Sequence, residues 1–347
     1  MTDALLLEMA ERVLAATCTH EAIQAAERDG WAPGVWERVA EVGLPWIALV
    51  EGGSLADALA VLRLAGRHAA PIPLAETGLL AGWLLAGAGL EVGEEPLTVV
   101  PGRPEDRLRL DGDRLTGVAH RVPWARSVGR VVALMESDGI WWVGAARVAG
   151  LAGIEPAVNL AGEPRDMVTF DGPVEVAPAA AGVDGDALRR RGALTRVMLM
   201  AGALEAMSRL TVGYTAERVQ FGRPVARCQA VQRHLVDGAQ DAVLVAMAAE
   251  AAARAAERGE AGSEIAAAKL LANQAAFTAT RAAHQAHGAM GMTQEYALHR
   301  LSRRLWAWRS EYGDERFWSA RLGSAVVRAG ADRLYPAIAG GSTAVEA

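Results

Sequence analysis

The spacing of apolar residues changes twice along the chain. Up to about residue 92 they recur at helical intervals, in short segments that Gly and Pro interrupt. Between about residues 94 and 178 the period becomes strand-like, with β-branched and aromatic runs bounded by Asp and Gly. From residue 187 to about 335, long segments rich in Ala and Leu are again helical. The pattern therefore predicts a mainly α-helical protein with a central β-domain.

Individual elements follow from the same periods. Short helices are predicted over residues 5–14, 31–43, 55–69 and 78–88, and long helices over 187–219, 229–258 and 263–287, with two more from residue 297. Strands are predicted over residues 107–115, 128–135, 140–148 and 167–170, and the first of these segments is a hairpin that turns at Asp111-Gly112. Ser263 is of the residue type that caps a helix N-terminus.

These elements group into four segments of the chain. The sequence predicts an N-terminal helical domain over residues 1–92, a small antiparallel β-domain over 93–183, a helical bundle over 184–335 and a disordered tail over 336–347. Small residues four apart, such as Gly202 and Ala206, let the long helices pack closely. The simplest bundle is then a four-helix core that also forms a subunit interface.

Composition excludes several classes of function. A formal net charge of −6 argues against a nucleic-acid partner, which usually meets a basic face. The longest apolar run, residues 79–90, is shorter than the roughly 20 residues that a bilayer span needs, and the N-terminus has no secretory signal. Cys18 and Cys228 lie far apart and match no metal-binding spacing. We therefore expect a cytoplasmic protein without a metal site or a membrane span.

The least generic turn lies between the first two long helices, in YTAERVQFGRPVARCQAVQ, residues 214–232. Arg218, Gln220 and Phe221 are predicted to close the first helix. Gly222 is then predicted to take the left-handed position, and the following proline to prevent the helix from resuming. A plain helix–helix turn needs only the glycine and the proline. The additional Arg and Phe indicate a surface for an anionic, planar ligand, and both interpretations of the turn alone stay open.

The motif Tyr-x-x-x-Arg-x-Gln-Phe-Gly-Arg-Pro, with Gln229 and Gln232 after it, resembles the signature of the acyl-CoA dehydrogenase flavoproteins. A second stretch, HQAHGAMGMTQEY at residues 284–296, is similar to the family's Gln-x-x-Gly-Gly-x-Gly-x-x-x-Glu-Tyr segment, with Ala289 in place of the second glycine. In the family, the Arg and Phe of the first signature reach across a subunit interface to a neighbour's FAD, and the second signature covers the same dinucleotide. The resemblance implies FAD-binding roles for Arg218, Gln220, Phe221, Gly222, Gln229, Gln285 and Gly288.

The resemblance extends over nearly the whole chain and implies the family's fold, with an N-terminal helical domain, a small antiparallel β-barrel and a C-terminal helical bundle. One departure lies at the start of the β-domain. Family members carry a Thr-Glu-Pro-x-x-Gly-Ser-Asp-like loop there that contacts the flavin ring, and only Glu95-Pro96 is left of it in this chain. Trp124 stands near the place of a flanking aromatic residue, and its alternative role is in the core.

The reaction implied by the resemblance is oxidation of an acyl-CoA thioester to its trans-2-enoyl form, which needs a carboxylate base for the α-proton. Family members place this Glu at one of two positions. The first falls on Tyr312, with Glu311 one residue early, a shift of about 100° on a helix. The second is empty, because no acid occurs between Asp186 and Glu205. Glu311 is thus the candidate catalytic residue, and its alternative is a solvated acid beside Arg309.

A nearly complete dinucleotide motif, combined with no acid at either family position for the base, resembles the shorter partner chain of heteromeric acyl-CoA dehydrogenases that degrade bulky acyl-CoAs, including sterol side chains. This resemblance implies an acyl-CoA substrate, a longer homologous subunit that carries the base in a heterotetramer, and electron-transfer flavoprotein as the electron acceptor. One alternative is a self-sufficient homo-oligomer that uses Glu311. The other is a non-catalytic structural paralogue, for which the FAD-binding residues of both signatures would be unnecessary.

Overall fold

The computed structural model describes residues 3–259, 261–330, 332–333 and 335. The predicted tail, residues 336–347, lies outside the described residues. The chain divides into two units. The first contains the residues up to Leu62 together with Ala70–Gly192, and the second contains Arg63–Ala69 and the residues from Ala193 onward. The division into the domains 1–92, 93–183 and 184–335 stays a prediction.

The N-terminal part of the chain is helical. Its elements are α1 (Ala4–Thr17), α2 (His20–Asp29), α3 (Pro33–Glu41), α4 (Leu55–Arg67), a π-helix (Ala75–Gly82) and α5 (Trp83–Gly87). The second of these helices was not predicted, because Ile23 is its only large aliphatic residue. Its ends are nevertheless well defined, since the Thr19 hydroxyl accepts a hydrogen bond from the Ala22 N–H and Gly30 terminates the helix in the left-handed conformation.

Two four-stranded sheets follow. The strands are β1 (Leu97–Val99), β2 (Arg107–Asp111), β3 (Arg114–Pro123), β4 (Arg130–Ser137), β5 (Ile140–Arg147), β6 (Gly153–Glu155), β7 (Arg165–Pro173) and β8 (Glu175–Pro178). One sheet has the order β1-β4-β5-β8 and the other β2-β3-β7-β6. The β2–β3 pair is the predicted hairpin. The prediction of a purely antiparallel domain needs one correction, because β1 pairs with β4 in parallel.

The C-terminal part consists of long helices. They are α6 (Gly185–Glu217), α7 (Gln229–Glu257), α8 (Gly262–His287), α9 (Leu298–Arg309) and α10 (Glu315–Ala329), with the short strands β9 (Val219–Gln220) and β10 (Arg223–Pro224) between the first two. Ser263 lies inside α8 rather than capping it, since Ala261 takes the capping position without a side-chain hydrogen bond. With its helical ends and central sheets, the chain has the predicted fold class.

Within the second unit, α6 approaches the end of α4 at backbone distance. A Cβ added at Gly202 would lie 1.9 Å from the carbonyl oxygen of Arg63. Beside this contact, the Glu205 carboxylate accepts hydrogen bonds from Arg67 at 2.9 and 3.0 Å and from Arg63 at 3.3 Å. Burial alone would raise the pKa of Glu205, but the Arg67 hydrogen bond and the surrounding guanidinium groups lower it. Gly202 and the ion pairs of Glu205 together fix how α4 and α6 pack.

No helix among the described residues combines the length and hydropathy that crossing a bilayer requires. The same residues contain no group of three or more His, Cys, Asp or Glu side chains that could hold a metal ion.

We expect Gly202→Ala to lower the free energy of unfolding by about 1–3 kcal/mol, because the new methyl group must displace the Arg63 carbonyl. Gly213→Ala is the matched control in the same helix, where an added Cβ has no neighbour within 4 Å. There the higher helix propensity of Ala should stabilise the protein by about 0.5–1 kcal/mol. Thermal unfolding followed by circular dichroism compares the variants, and equal effects would contradict the close-packing interpretation.

Candidate functional site

The first signature lies mostly beyond α6, which ends at Glu217. Arg218 directly follows the helix, and its N–H donates a hydrogen bond of 2.9 Å to the Tyr214 carbonyl, so it does close α6. For Gln220 and Phe221, which lie beyond the helix, the prediction is wrong. Instead, β9 and β10 form a tight hairpin with Phe221 and Gly222 at its tip. Their φ values of 53° and 74° are both positive, as in a type I′ turn. The left-handed conformation predicted for Gly222 is confirmed.

The hairpin tip is both strained and exposed. Phe221 is 94 % exposed and has a positive φ. Exposure is unfavourable for a large apolar side chain, and a positive φ is unfavourable for a bulky residue. Arg218 is exposed, and its side chain forms no hydrogen bond or ion pair with any residue that the structure describes. The tip thus presents an aromatic ring and an uncompensated cation to a second molecule. Gln229, the first residue of α7, is exposed just beyond it.

The second signature begins in the last turn of α8, where Gln285 is exposed. Gly288 follows the helix with φ 59° and ψ −139°, a conformation that is essentially restricted to glycine. A Cβ at Gly291 would lie 2.9 Å from that of His287, so this position also needs glycine. Ala289, in contrast, is exposed and does not have a positive φ. The departure from the family pattern at Ala289 therefore causes no backbone strain.

Three aromatic rings bring the two signatures together. The rings of Tyr214 and His287 stack with their centroids 4.5 Å apart, and Tyr296 lies 5.5 Å from the first ring and 5.0 Å from the second. Tyr214 begins the first signature and Tyr296 ends the second. The sequence predicted no role for either tyrosine or for His287. The signal available in the sequence was that Tyr214 and Tyr296 lie at the outer ends of the two motifs.

His287 is 3 % exposed, and its Nδ1 atom lies 2.8 Å from the carbonyl oxygen of Ala283. Its Nε2 atom is buried and has no hydrogen-bond partner among the described residues. Burial lowers the pKa of His287, and burial together with its two histidine neighbours lowers that of His284. Both rings are therefore neutral near pH 7. The segment before Gly288 is held by stacking and packing rather than by charge.

The candidate base is held in an ion pair. Glu311 lies in the turn between α9 and α10, and its Oε2 atom accepts a hydrogen bond of 2.6 Å from Nε of Arg196. Arg196 is 1 % exposed, and its guanidinium also lies 5.3 Å from the centre of the Tyr312 ring. Arg309 pairs instead with Glu315, at 2.9 Å. Glu311 is thus bound to a buried cation, which favours its ionised form and weakens it as a proton acceptor.

A buried lysine, for which no role was predicted, supports the same turn. Lys269, the only lysine of the chain, donates hydrogen bonds to Oδ1 of Asn273 at 2.7 Å and to the carbonyls of Trp308 and Arg309 at 3.1 and 3.0 Å. It therefore caps the last turn of α9. Burial lowers the pKa of Lys269 to about 7, although the nearby charge of Glu311 opposes this shift.

The remnant of the flavin-side loop has a structural role. Glu95 accepts a hydrogen bond of 2.6 Å from Nε of Arg130, and the Pro96 carbonyl accepts one of 2.9 Å from the N–H of Gly129. These contacts fix the beginning of β4. Trp124 is buried, with the Arg165 guanidinium 4.9 Å above its ring. Of the two interpretations of Trp124, the structure supports the core residue.

The chain is similar to acyl-CoA dehydrogenases. Residues 190–314 match the family model of the acyl-CoA dehydrogenase C-terminal domain. Acyl-CoA dehydrogenase FadE28 of Mycobacterium tuberculosis is 29% identical over 307 residues, which cover 79% of this chain and 86% of that protein. In the crystal structure of the ChsE4-ChsE5 complex from the same organism, a chain 21% identical gives a TM-score of 0.86 over 95% of this chain and 99% of its own. The steroid ACAD Tcur3481-Tcur3483 is 24% identical, with a TM-score of 0.82 over 92% and 96%.

The stability of the protein should rise with pH because of Lys269. Its pKa is about 7 in the folded protein, against 10.5 ordinarily. Below pH 7 the amine is protonated in both states, so the full cost of burying the charge is present. Between these two pKa values the unfolded chain binds more protons, and the free energy of unfolding should rise by up to about 1.4 kcal/mol per pH unit.

The measurement is chemical unfolding of the wild type and of Lys269→Met between pH 6 and 9.5. The difference between the two proteins isolates the lysine from the other titrating groups. A wild-type protein that gains no stability relative to the variant above pH 7 would show that the amine stays charged.

Proposed function

We propose that this chain is a member of the acyl-CoA dehydrogenase family, to which residues 190–314 and its relatives are similar. We further propose that it is the subunit that completes a neighbour's FAD site beside a longer, base-bearing homologue. The observation that carries the proposal is the stacking of Tyr214 on His287, which joins the two signatures. Next to that contact, the hairpin tip presents Arg218 and Phe221 outward. An exposed phenylalanine at positive φ is unfavourable on a free surface. Together with the neighbouring arginine, it is useful against a ligand held by another subunit.

The exposed residues of the two signatures fit an FAD dinucleotide. The Arg218 guanidinium offers a forked donor for the diphosphate, and the Phe221 ring offers an apolar face for the adenine. Gln285 and Gly288 flank His287, whose ring stacks on Tyr214 in the last turn of α6 before the hairpin. In this proposal they cover the same dinucleotide. When bound, FAD accepts the hydride from the acyl β-carbon. In this proposal, the residues of this chain bind and orient the cofactor and move no proton.

The proposal assigns the catalytic carboxylate to the partner. Glu311 is held in an ion pair of 2.6 Å with the buried Arg196, so its carboxylate is not free to accept a proton from a substrate. On the flavin side, Glu95 and Pro96 are occupied in fixing β4. A longer homologue must then provide the base and the contacts to the flavin ring, and a heterotetramer is the simplest such assembly.

Two similar structures support a proposal for the substrate class. One of these structures is a complex whose name joins two components. The other is a steroid ACAD whose name also joins two components. We propose that this chain acts with its partner on a bulky acyl-CoA thioester of the steroid type, with electron-transfer flavoprotein as the acceptor.

Replacement of Arg218 should weaken FAD binding in the reconstituted complex. A guanidinium–diphosphate hydrogen bond contributes roughly 1.5–3 kcal/mol, so we expect Arg218→Ala to raise the Kd for FAD about 10- to 150-fold while the oligomer stays intact. Arg218→Lys should recover only part of the loss, since an ammonium group lacks the fork. Flavin fluorescence during dilution gives the affinity, and light scattering gives the oligomer mass.

The matched control is Arg233→Ala on α7, because this exposed arginine already pairs with Asp237 at 2.9 Å. Its removal should leave FAD affinity unchanged. Unchanged affinity in Arg218→Ala, or full flavin occupancy of the chain purified without its partner, would contradict the proposed arrangement.

The self-sufficient alternative makes a different prediction for Glu311. If the partner carries the base, Glu311→Gln should change the rate of α-proton exchange less than about threefold, with bound FAD unchanged. Loss of a general base would instead slow the exchange by about 10²–10⁴-fold. Deuterium wash-in from solvent at the α-carbon of a bound acyl-CoA measures this step directly, and a loss of that size would favour the homo-oligomeric enzyme.

A further inference from the structure

A cationic groove lies along one face of α10 and encloses about 660 Å³. Its lining includes three guanidinium groups, an aromatic ring and a hydroxyl, from Arg316, Arg321, Arg328, Phe317 and Ser324. The only acidic residue within this helix, Glu315, pairs with Arg309 at 2.9 Å. Three cations thus share one groove in a chain whose formal net charge is −6. None of the residues that line this α10 groove belongs to either signature.

The aromatic end of the α10 groove is held rigidly. The Phe317 N–H donates a hydrogen bond of 2.8 Å to Oδ1 of Asp314, which is the N-cap of the helix. The Phe317 ring meets that of Trp318 edge to face, with the centroids 5.0 Å apart. Trp318 is fully buried, and its Nε1 atom donates a hydrogen bond of 3.2 Å to the Tyr312 carbonyl. The half-buried Phe317 ring is therefore a fixed platform on which a planar group can stack.

The other end of the α10 groove combines charge with small side chains. Arg321 lies one turn beyond Phe317, and Arg328 lies roughly 16 Å beyond it along the helix axis. Ala320 and Ser324 are both exposed and leave room between these long side chains. A guanidinium group offers a forked pair of donors to phosphate oxygens, and the serine hydroxyl offers another donor. The groove therefore matches a ligand with a planar ring at one end and phosphates at the other.

Solvation of ordinary surface arginines does not explain this arrangement. On α7, the exposed Arg233 and Arg254 each pair with an acid one turn away, at 2.9 and 3.9 Å. Arg316, in contrast, is exposed and forms no hydrogen bond or ion pair with any residue that the structure describes. Guanidinium groups around one groove also repel each other, and a bound anion relieves this repulsion.

We propose that the α10 groove binds a phosphorylated nucleotide, with its base on Phe317 and its phosphates on Arg321 and Arg328. The volume of about 660 Å³ is within the roughly 300–1,000 Å³ of small-molecule sites. Asp314 lines the aromatic end, where its carboxylate favours a base with an amino group, such as adenine, and repels phosphate. Free ADP and coenzyme A both carry adenine and a diphosphate. The inference uses residues outside both signatures, so it does not depend on the proposed function.

The test is isothermal titration calorimetry of the full chain with ADP, adenosine and inorganic pyrophosphate. The wild type should bind ADP at least about 10-fold more tightly than adenosine, which lacks the phosphates. Arg321→Gln should weaken the binding of both ADP and pyrophosphate by at least about 10-fold. Arg254→Gln is the matched control, because it removes the same charge from α7 and should leave both affinities unchanged. Phe317→Leu should weaken the binding of ADP and leave that of pyrophosphate unchanged, since only the base stacks on the ring.

Three results would overturn the inference. The first is a wild-type protein that binds neither ADP nor pyrophosphate. The second is equal weakening by Arg321→Gln and Arg254→Gln, which would show a general attraction of anions to the surface. The third is loss of ADP binding in Arg218→Ala with unchanged binding in Arg321→Gln, which would locate ADP on the hairpin after α6. Circular dichroism shows that each variant is folded.

A parallel titration with coenzyme A distinguishes the two sources of the nucleotide. Tighter binding of coenzyme A than of ADP, weakened by Arg321→Gln, would identify the nucleotide portion of coenzyme A as the ligand. Equal or tighter binding of ADP would identify a free nucleotide. FAD affinity is measured separately through Arg218, so failure of the α10 groove leaves the proposed function standing, and failure of the proposed function leaves the groove.

Discussion

The stacking of Tyr214 on His287 is the contact on which the proposed dinucleotide-binding surface depends. It connects the end of α6 to the end of α8, two segments about 70 residues apart in the chain. Without it, the hairpin after α6 and the glycine turn after α8 would be two unrelated loops. Burial keeps the His287 ring neutral, so the contact is apolar in character and insensitive to salt.

Much of the architecture could be predicted from the sequence, because apolar periodicity is strong over the long helices and the β-domain. The hairpin after α6 could not be, since its turn places Phe221 in a conformation that bulky residues rarely adopt. The parallel pairing of β1 with β4 was equally hidden, because side-chain alternation does not encode strand direction. The FAD-binding roles of the residues in both signatures were predicted through the family resemblance and stay predictions. The ion pair of Glu311 with Arg196 joins residues 115 apart in sequence, and neither residue carries a local signal for it.

The buried basic side chains of this protein are more distinctive than its acidic side chains. Lys269 caps a helix end and Arg196 neutralises a carboxylate, so both have a structural account. Structural ion pairs and binding sites both perturb charged groups, and the distinction between them is whether the protein itself supplies the compensating charge.

The ion pair of Arg196 with Glu311 has an evolutionary consequence. Under the proposed division of labour, a descendant that regained a catalytic base at this turn would have to lose Arg196 and also reorient the Glu311 carboxylate. Removing one member of a buried pair costs about 3–5 kcal/mol, a large part of the stability of a typical domain. Each single step toward independence therefore passes through a poorly folding intermediate. Once this chain depends on a partner subunit for the base, the stability of its fold opposes a return to independence. This holds even when selection on catalysis is relaxed.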